Sequence, residues 1–360
     1  MSLRELRRHI GRLAIVGFTG HSVPAGLRQV VNDFDLGGVI YFDRNVGEPG
    51  QLAELSREVS ALARDWPLWI SVDQEGGRVA RLKAPFTIWP AACTLGRSGD
   101  EDLAGRFARA LATELLAVGI NLDYTPVLDV HTNPANPVIG DRALSSSAHD
   151  VGRLGAAVIR ALQEAGVAAC GKHFPGHGDT SVDSHEDLPI VPHDRRRLEA
   201  VELVPFRRAI AEGVATLMTA HVLIPAIDEH RPASLSPQIV QTWLKDTLGY
   251  QGVVISDDLG MKAISRHLPL GQASVDAIAA GCDALLLCNS TVDEQVDALE
   301  ALIRAAESGE LRPTRLDDAL ARQQAAKARL WPIAERRAAP LEAVGCEAHQ
   351  IIAREMEAWL

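Results

Sequence analysis

Val167-Ala168-Ala169-Cys170-Gly171-Lys172-His173-Phe174-Pro175-Gly176-His177-Gly178-Asp179-Thr180-Ser181-Val182-Asp183-Ser184-His185 runs from an apolar segment straight into a polar one. Val167 to Cys170 reads as a buried strand, and from Lys172 on the chain packs three His, two Asp and one Lys among Gly, Pro and Ser. So polar a stretch is not core, and a linker has no need of imidazoles and carboxylates directly after a strand. Any one of these histidines could be an ordinary loop residue. Three within thirteen residues, alternating with Asp179 and Asp183, point to chemistry. A divalent metal site is the competitor, since His and carboxylate are both good ligands. It ranks second because the glycines and Pro175 argue against a helix, so His173 and His177 lack the shared face of a helical i, i+4 pair.

Outward from this stretch, strand and helix signals alternate along the whole chain. Strand-like runs fall at Leu13 to Phe18, Gly37 to Phe42, Leu68 to Val72, Ile120 to Val127, Val167 to Phe174, Thr216 to Val222, Gly252 to Ser256 and Ala284 to Cys288. Helical stretches follow them, among them Ala25 to Asp33, Pro49 to Arg64, Glu101 to Val118, Asp150 to Gly166, Arg195 to Gly213, Pro237 to Leu248, Gly271 to Ala280, Val292 to Ser308 and Pro313 to Leu330. Continuous apolar runs such as Gly-Val-Val-Ile and Ala-Leu-Leu-Leu suit parallel strands buried on both faces. A doubly wound open sheet would give a similar rhythm. The barrel is favoured because Asp73, Asp123, His173, His221 and Asp257 each sit late in, or just after, a different strand, and in a barrel those ends meet on one face. The expected fold is therefore α/β, a single (β/α)8 barrel over residues 1–335, with a C-terminal helical tail, 336–360, packed on it through Ile351, Ile352 and Met356.

Composition narrows the function. The chain has 360 residues and a formal net charge of −11, so its average field repels a nucleic-acid backbone. Its five cysteines form no C-x-x-C pair, which fits a reducing compartment. No run of about 18 apolar residues occurs, and Leu13 to Phe18 is too short for a signal sequence. The chain is read as cytoplasmic and monomeric, without a nucleic-acid or membrane partner, a metal or a cofactor. Asp129 to Ser147 reads as a long irregular loop, and loops of that length are commonly functional.

Asp257 stands where an apolar strand meets a turn, so its carboxylate is expected in the barrel mouth, with Asp258 pointing elsewhere. Both could equally be turn caps. With Asp257 on a strand end and an Asp183/His185 pair on a loop, the site could run a two-step displacement at a sugar's anomeric carbon: a carboxylate attacks from one face while an acid protonates the leaving oxygen on the other. Histidine can serve as that acid when a nearby carboxylate holds the ring and supports its imidazolium.

Lys172 to Thr180 with Asp183-Ser184-His185, and Gly252-Val253-Val254-Ile255-Ser256-Asp257-Asp258-Leu259, resemble the bacterial β-N-acetylglucosaminidase branch of glycoside hydrolase family 3. Val72-Asp73-Gln74-Glu75-Gly76-Gly77-Arg78-Val79 with Arg81, and Ile139-Gly140-Asp141-Arg142, resemble two further signatures of that branch. The resemblance implies retaining hydrolysis of terminal β-linked N-acetylglucosamine, with a cytoplasmic muropeptide from peptidoglycan recycling as the usual target. By position it implies Asp257 as nucleophile, His185 as acid/base and Asp183 as its dyad partner. Asp73, Arg81, Arg142, Lys172 and His173 match the groups that hold the sugar. His177 and Asp179 are expected to shape the loop, and Asp123 and His221 to give structural support. Alternatives that remain open are a phosphorylase or β-glucosidase on the same fold, and a metal-dependent barrel hydrolase using His173, His177 and His185.

Overall fold

The computed structural model describes residues 2–337 and 339–360. Eight parallel strands close into a barrel: Ala14–Gly17, Gly38–Tyr41, Trp69–Val72, Leu122–Asp123, Ala168–Phe174, Thr216–Thr219, Val253–Asp258 and Ala284–Leu287, each bonded to its neighbours in sequence and the last to the first. A two-stranded hairpin, Gln74–Gly76 with Val79–Ala80, follows the third strand at the barrel mouth. The α/β barrel expected from the alternation of elements is the fold observed.

Side chains alternate along each strand, and the two resulting sets form separate apolar clusters. Ile15, Ile40, Trp69, Leu122, Cys170, Met218, Ile255 and Leu286 fill the barrel. Val16, Val39, Ile70, Val72, Leu217, Val254 and Leu285 face the surrounding helices. Continuing the inward series by two residues leads from Trp69 and Ser71 to Asp73, from Ala168 and Cys170 to Lys172, and from Val253 and Ile255 to Asp257. Asp258 has the opposite parity. Counting from the core thus distinguishes the two adjacent carboxylates.

The helices depart from expectation where prolines or polar faces intervene. Arg195 to Gly213 is two helices, Arg195–Ala200 and Leu203–Ala211, because Pro205 cannot donate the bond that a continuous helix would need to Val201. The fourth strand is regular only over Leu122–Asp123, since Pro126 withholds a ladder donor, although Val127 still bridges Lys172. A helix at Leu3–Gly11, closed by a capping box from Ser2 and Glu5, was not anticipated. Helix Pro313–Arg336 closes the barrel floor: Gln323 donates to the Arg12 and Asp283 carbonyls, and the Lys327 ammonium lies 5.1 Å from the Trp69 ring centroid.

After it, helix Glu347–Glu357 lies on helix Glu101–Ala117, with Ala353 and Met356 buried and Arg106 paired to Glu355 at 2.7 Å. Ile351, expected on the apolar stripe, is exposed instead. The buried stripe runs through His349, Ala353 and Met356, and His349 bonds the buried Glu114 at 2.8 Å. Among the described residues no helix is long and apolar enough to cross a membrane.

The loop after the fifth strand is fixed at its base by backbone contact. A Cβ added at Gly178 would stand 1.9 Å from the Val130 carbonyl oxygen. Gly178→Ala is therefore expected to lower stability by about 1–3 kcal/mol, as overpacking against backbone does. Gly50→Ala, in helix Pro49–Ser60 with nothing within 4 Å, should be neutral or slightly stabilising. Denaturant unfolding of the two variants checks this, and equal behaviour would contradict it.

Candidate functional site

The inward parity of three strands delivers Asp73, Lys172 and Asp257 to one mouth, and loops bring the rest. A single pocket there is lined by Asp73, Arg81, Arg142, Lys172, His173, His185 and Asp257, together with apolar Ile40, Phe42, Val79, Val138, Met218, Met261 and Leu286. Seven of the eight site residues singled out in the sequence thus share one cavity. Asp183, the eighth, stands behind His185.

On one side of the pocket, charge is paired in a chain. Lys172 Nζ lies 2.7 Å from Asp73 Oδ1 and 2.5 Å from Glu75 Oε1. Arg142 grips Glu75 with two nearly parallel bonds, Nε to Oε2 at 2.9 Å and a terminal nitrogen to Oε1 at 2.8 Å. Arg81 stands 3.9 Å from Asp73 and over the Phe42 ring. Burial alone would push the Glu75 carboxyl up, but the Arg142 and Lys172 charges outweigh it and hold it well below the usual range. Burial likewise works against the charged Lys172, and Asp73 and Glu75 more than restore it, so its pKa is raised. Beneath them Asp123 accepts the Gln74 N–H at 2.9 Å, and burial pushes its carboxyl well up.

Glu75 was missed in the sequence although it stood in a quoted motif. The signal was a charge imbalance: Arg81, Arg142 and Lys172 were gathered around one carboxylate, Asp73, and three cations in one pocket, two of them buried, need more than one anion.

A second missed carboxylate organises the histidines. Asp129, fully buried, accepts from the backbone N–H groups of His173 at 3.2 Å and His177 at 2.7 Å through Oδ1, and pairs with His173 Nδ1 at 2.7 Å through Oδ2. Its burial is outweighed by the His173 charge and these bonds, so its pKa is lowered. The sequence placed Asp129 at the head of a long loop, and the apolar run Val127-Leu128 before it was the clue that it closes a strand-like segment. His177 bonds Thr180 and Ser184, and Asp179 bonds Thr132 and His193, so both shape the loop. The three histidines of the opening stretch hold three different sets of partners. Among the described residues no three His, Cys, Asp or Glu side chains are grouped to hold a metal ion.

Asp257 is half-buried at the end of the seventh strand, and its Oδ1 accepts the Asp258 N–H at 2.8 Å. Burial would raise its pKa, but His221, His173 and that N–H prevail, and the carboxyl is held below its ordinary value. The group is thus an anion at neutral pH. Asp258 braces the turn, accepting from Gly260 and Cys288 N–H groups and from Asn289. His221 Nε2 donates to the Asp258 carbonyl at 3.0 Å and its Nδ1 meets Ser234 at 2.7 Å, a supporting role. His185 stands at the pocket rim with a side chain 62% exposed, its Nδ1 and its backbone N both bonded to Asp183 Oδ1 at 2.7 and 2.9 Å. Those two bonds outweigh the partial burial of Asp183 and lower its pKa.

An anionic carboxylate, a carboxylate-supported imidazole and a rack of charged hydrogen-bonding groups in one pocket form a set able to hold and cleave a polyhydroxylated substrate. Residues 5–326 match the glycosyl hydrolase family 3 N terminal domain. A β-hexosaminidase from Alkalilimnicola ehrlichii is 43% identical over 283 residues, covering 76% of this chain and 80% of that protein. A glycoside hydrolase family 3 β-N-acetylglucosaminidase from Paenibacillus sp. superposes with a TM-score of 0.93 at 40% identity, over 100% of this chain and 69% of the other. NagZ from Neisseria gonorrhoeae, solved in complex with N-trifluoroacetyl-D-glucosamine, superposes with a TM-score of 0.79 at 33% identity, over 96% of this chain and 97% of its own. The chain belongs to glycoside hydrolase family 3, in its β-hexosaminidase branch.

Proposed function

We propose that this glycoside hydrolase is a retaining, exo-acting β-N-acetylglucosaminidase that removes terminal β-linked N-acetylglucosamine through a covalent intermediate on Asp257. The observation that carries the reading is the convergence of an ionised Asp257 and the Asp183-supported His185 on one pocket walled by Asp73, Arg81, Arg142, Lys172 and His173. Asp257 attacks the anomeric carbon while the His185 imidazolium gives its proton to the leaving oxygen. Neutral His185 then takes a proton from the water that releases the sugar, restoring the imidazolium. Lys172, Arg142 and Arg81 donate to sugar oxygens, Asp73 accepts from a hydroxyl, and Val138, Met218 and Leu286 offer apolar wall.

Relatives named β-hexosaminidase and β-N-acetylglucosaminidase support the N-acetyl sugar as the glycone. Muropeptide fragments of peptidoglycan recycling are the proposed natural substrates, acted on by a monomer in the cytoplasm. The five cysteines, all free thiols, accord with that reducing compartment.

Release of p-nitrophenol from the β-N-acetylglucosaminide and the β-glucoside, with and without phosphate, tests substrate and acceptor together. The expected result is preference for the N-acetyl sugar with no need of phosphate. A strict phosphate requirement would make the enzyme a phosphorylase, and preference for the glucoside would make it a β-glucosidase. Asp257→Ala is expected to lower kcat by at least about 10³-fold, as loss of a nucleophile does. His185→Ala should spare dinitrophenyl glycosides, which need little protonation, and cost roughly 10²-fold or more on alkyl glycosides. Equal losses on both would remove His185 from the acid role.

Glu75→Gln leaves Lys172 and Arg142 a charge short in a buried site. It is expected to cost about 3–5 kcal/mol of stability, as breaking a buried pair does, and to raise KM. Because the Glu75 carboxyl is held below its ordinary value of 4.5, its stabilisation is fully present above that pH and is lost as pH falls through its folded value. Acid unfolding followed from pH 7 to 3 should therefore be less steep in the Gln variant. An unchanged slope would mean that Glu75 carries no such linkage.

A further inference from the structure

The loop that carries Asp183 and His185 is fastened at the residue between them. Ser184 is buried, whereas His185 is exposed. The Ser184 hydroxyl lies 3.1 Å from His177 Nε2, and the Ser184 carbonyl accepts the Ala263 N–H at 3.3 Å. The loop's other attachments to helix Lys262–Ser265 and to Arg266 are solvent-exposed ion pairs, Lys262 with Glu186 at 2.8 Å and Arg266 with Asp187 at 3.8 Å, of a kind that holds weakly.

The partners of His177 decide which of its nitrogens bears hydrogen. The Thr180 hydroxyl donates to the His177 carbonyl at 3.1 Å and accepts from Asn136 Nδ2 at 3.2 Å. Its remaining lone pair faces His177 Nδ1 at 2.7 Å, so Nδ1 carries the hydrogen. Burial keeps the ring neutral, with its pKa pushed down to about 4. Nε2 is then a bare acceptor, and the Ser184 hydroxyl donates to it. The backbone N–H of His177 in turn donates to Asp129, the carboxylate that also orients His173.

We propose that His177 is a positioning residue for the reaction: through Ser184 it latches the loop shut and holds His185 against the pocket that Asp257 lines. The inference rests on His185 being the acid. It assigns a role to a buried neutral histidine at the back of the pocket that the proposed chemistry leaves unused, and it makes Asp129 the common root of a sugar-facing ring and of the acid's tether.

Ser184→Ala removes the hydroxyl with little change in volume, and His185→Ala serves as reference. Both are assayed on methyl and dinitrophenyl β-N-acetylglucosaminides, and Ser184→Ala is also exposed to a protease that cuts after glutamate, with Glu186 in the loop as reporter. The expected result for Ser184→Ala is a kcat lowered roughly 10- to 100-fold on the methyl glycoside but only about twofold on the dinitrophenyl one, with KM little changed, because a displaced acid fails where protonation is needed. Cleavage after Glu186 should be faster than in the parent enzyme. Equal losses on the two substrates, or unchanged cleavage, would overturn the latch. If His185→Ala shows the leaving-group dependence and Ser184→Ala does not, the latch alone falls. If His185→Ala lacks it, the acid assignment falls and takes the latch with it.

Discussion

A carboxylate with almost no contact with solvent, Glu75, sits between two cations that are themselves buried, Arg142 and Lys172. None of the three could stay charged there alone, because an isolated ion in such surroundings costs several kcal/mol. Together they are mutually obligatory. Glu75 comes from the hairpin after the third strand, Lys172 from the fifth strand, and Arg142 from the long loop after the fourth. One ion cluster thus ties three separate segments at the barrel mouth and fixes the cationic wall before any sugar arrives. Its donors are pre-oriented, so less rotamer entropy is lost when a substrate is bound.

Asp257 depends on the same arrangement by contrast. Among the described residues no Lys or Arg is bonded to it, and its anionic state rests on nearby imidazoles and one backbone N–H. A carboxylate neutralised by a lysine would be a poor nucleophile, because its lone pairs would be committed to an ammonium. Lys172 is bonded to Asp73 and Glu75 rather than to Asp257, which leaves the Asp257 carboxylate free of an ammonium for the role proposed above. The barrel makes this separation possible because its strand ends converge without touching.

Much of this was legible in the sequence because strand parity is strict. Apolar runs located the strands, and a polar residue two places beyond an inward-facing one must enter the mouth, as Asp73, Lys172 and Asp257 do. The anions Glu75 and Asp129 escaped because their importance is relational: one is defined by the cations around it, the other by two backbone N–H groups donated across a loop. Linear order does not display such pairings. Most helix ends were legible, but Pro205 divided one expected helix, the helix from Pro49 stops at Ser60 short of Arg64, and that from Pro313 runs on past Leu330 to Arg336; Ile351 was misplaced because a short amphipathic tail can turn either face inward until its partner is known.

On the proposed assignment, the Asp183–His185 pair resolves a difficulty that an acid on a loop would otherwise create. A group on an exposed loop lacks the fixed surroundings that a strand end provides. Asp183 and His185 avoid this because both bonds between them close within three residues, through the ring and through the backbone N–H. The pair carries its own electrostatics. The imidazole and its carboxylate, 2.7 Å apart, belong to one short segment of the loop and are placed by it as a unit. A carboxylic acid in the same place would need desolvation to remain protonated at neutral pH, and an exposed rim does not supply it. An imidazole needs a partner instead, and a partner can travel with the loop.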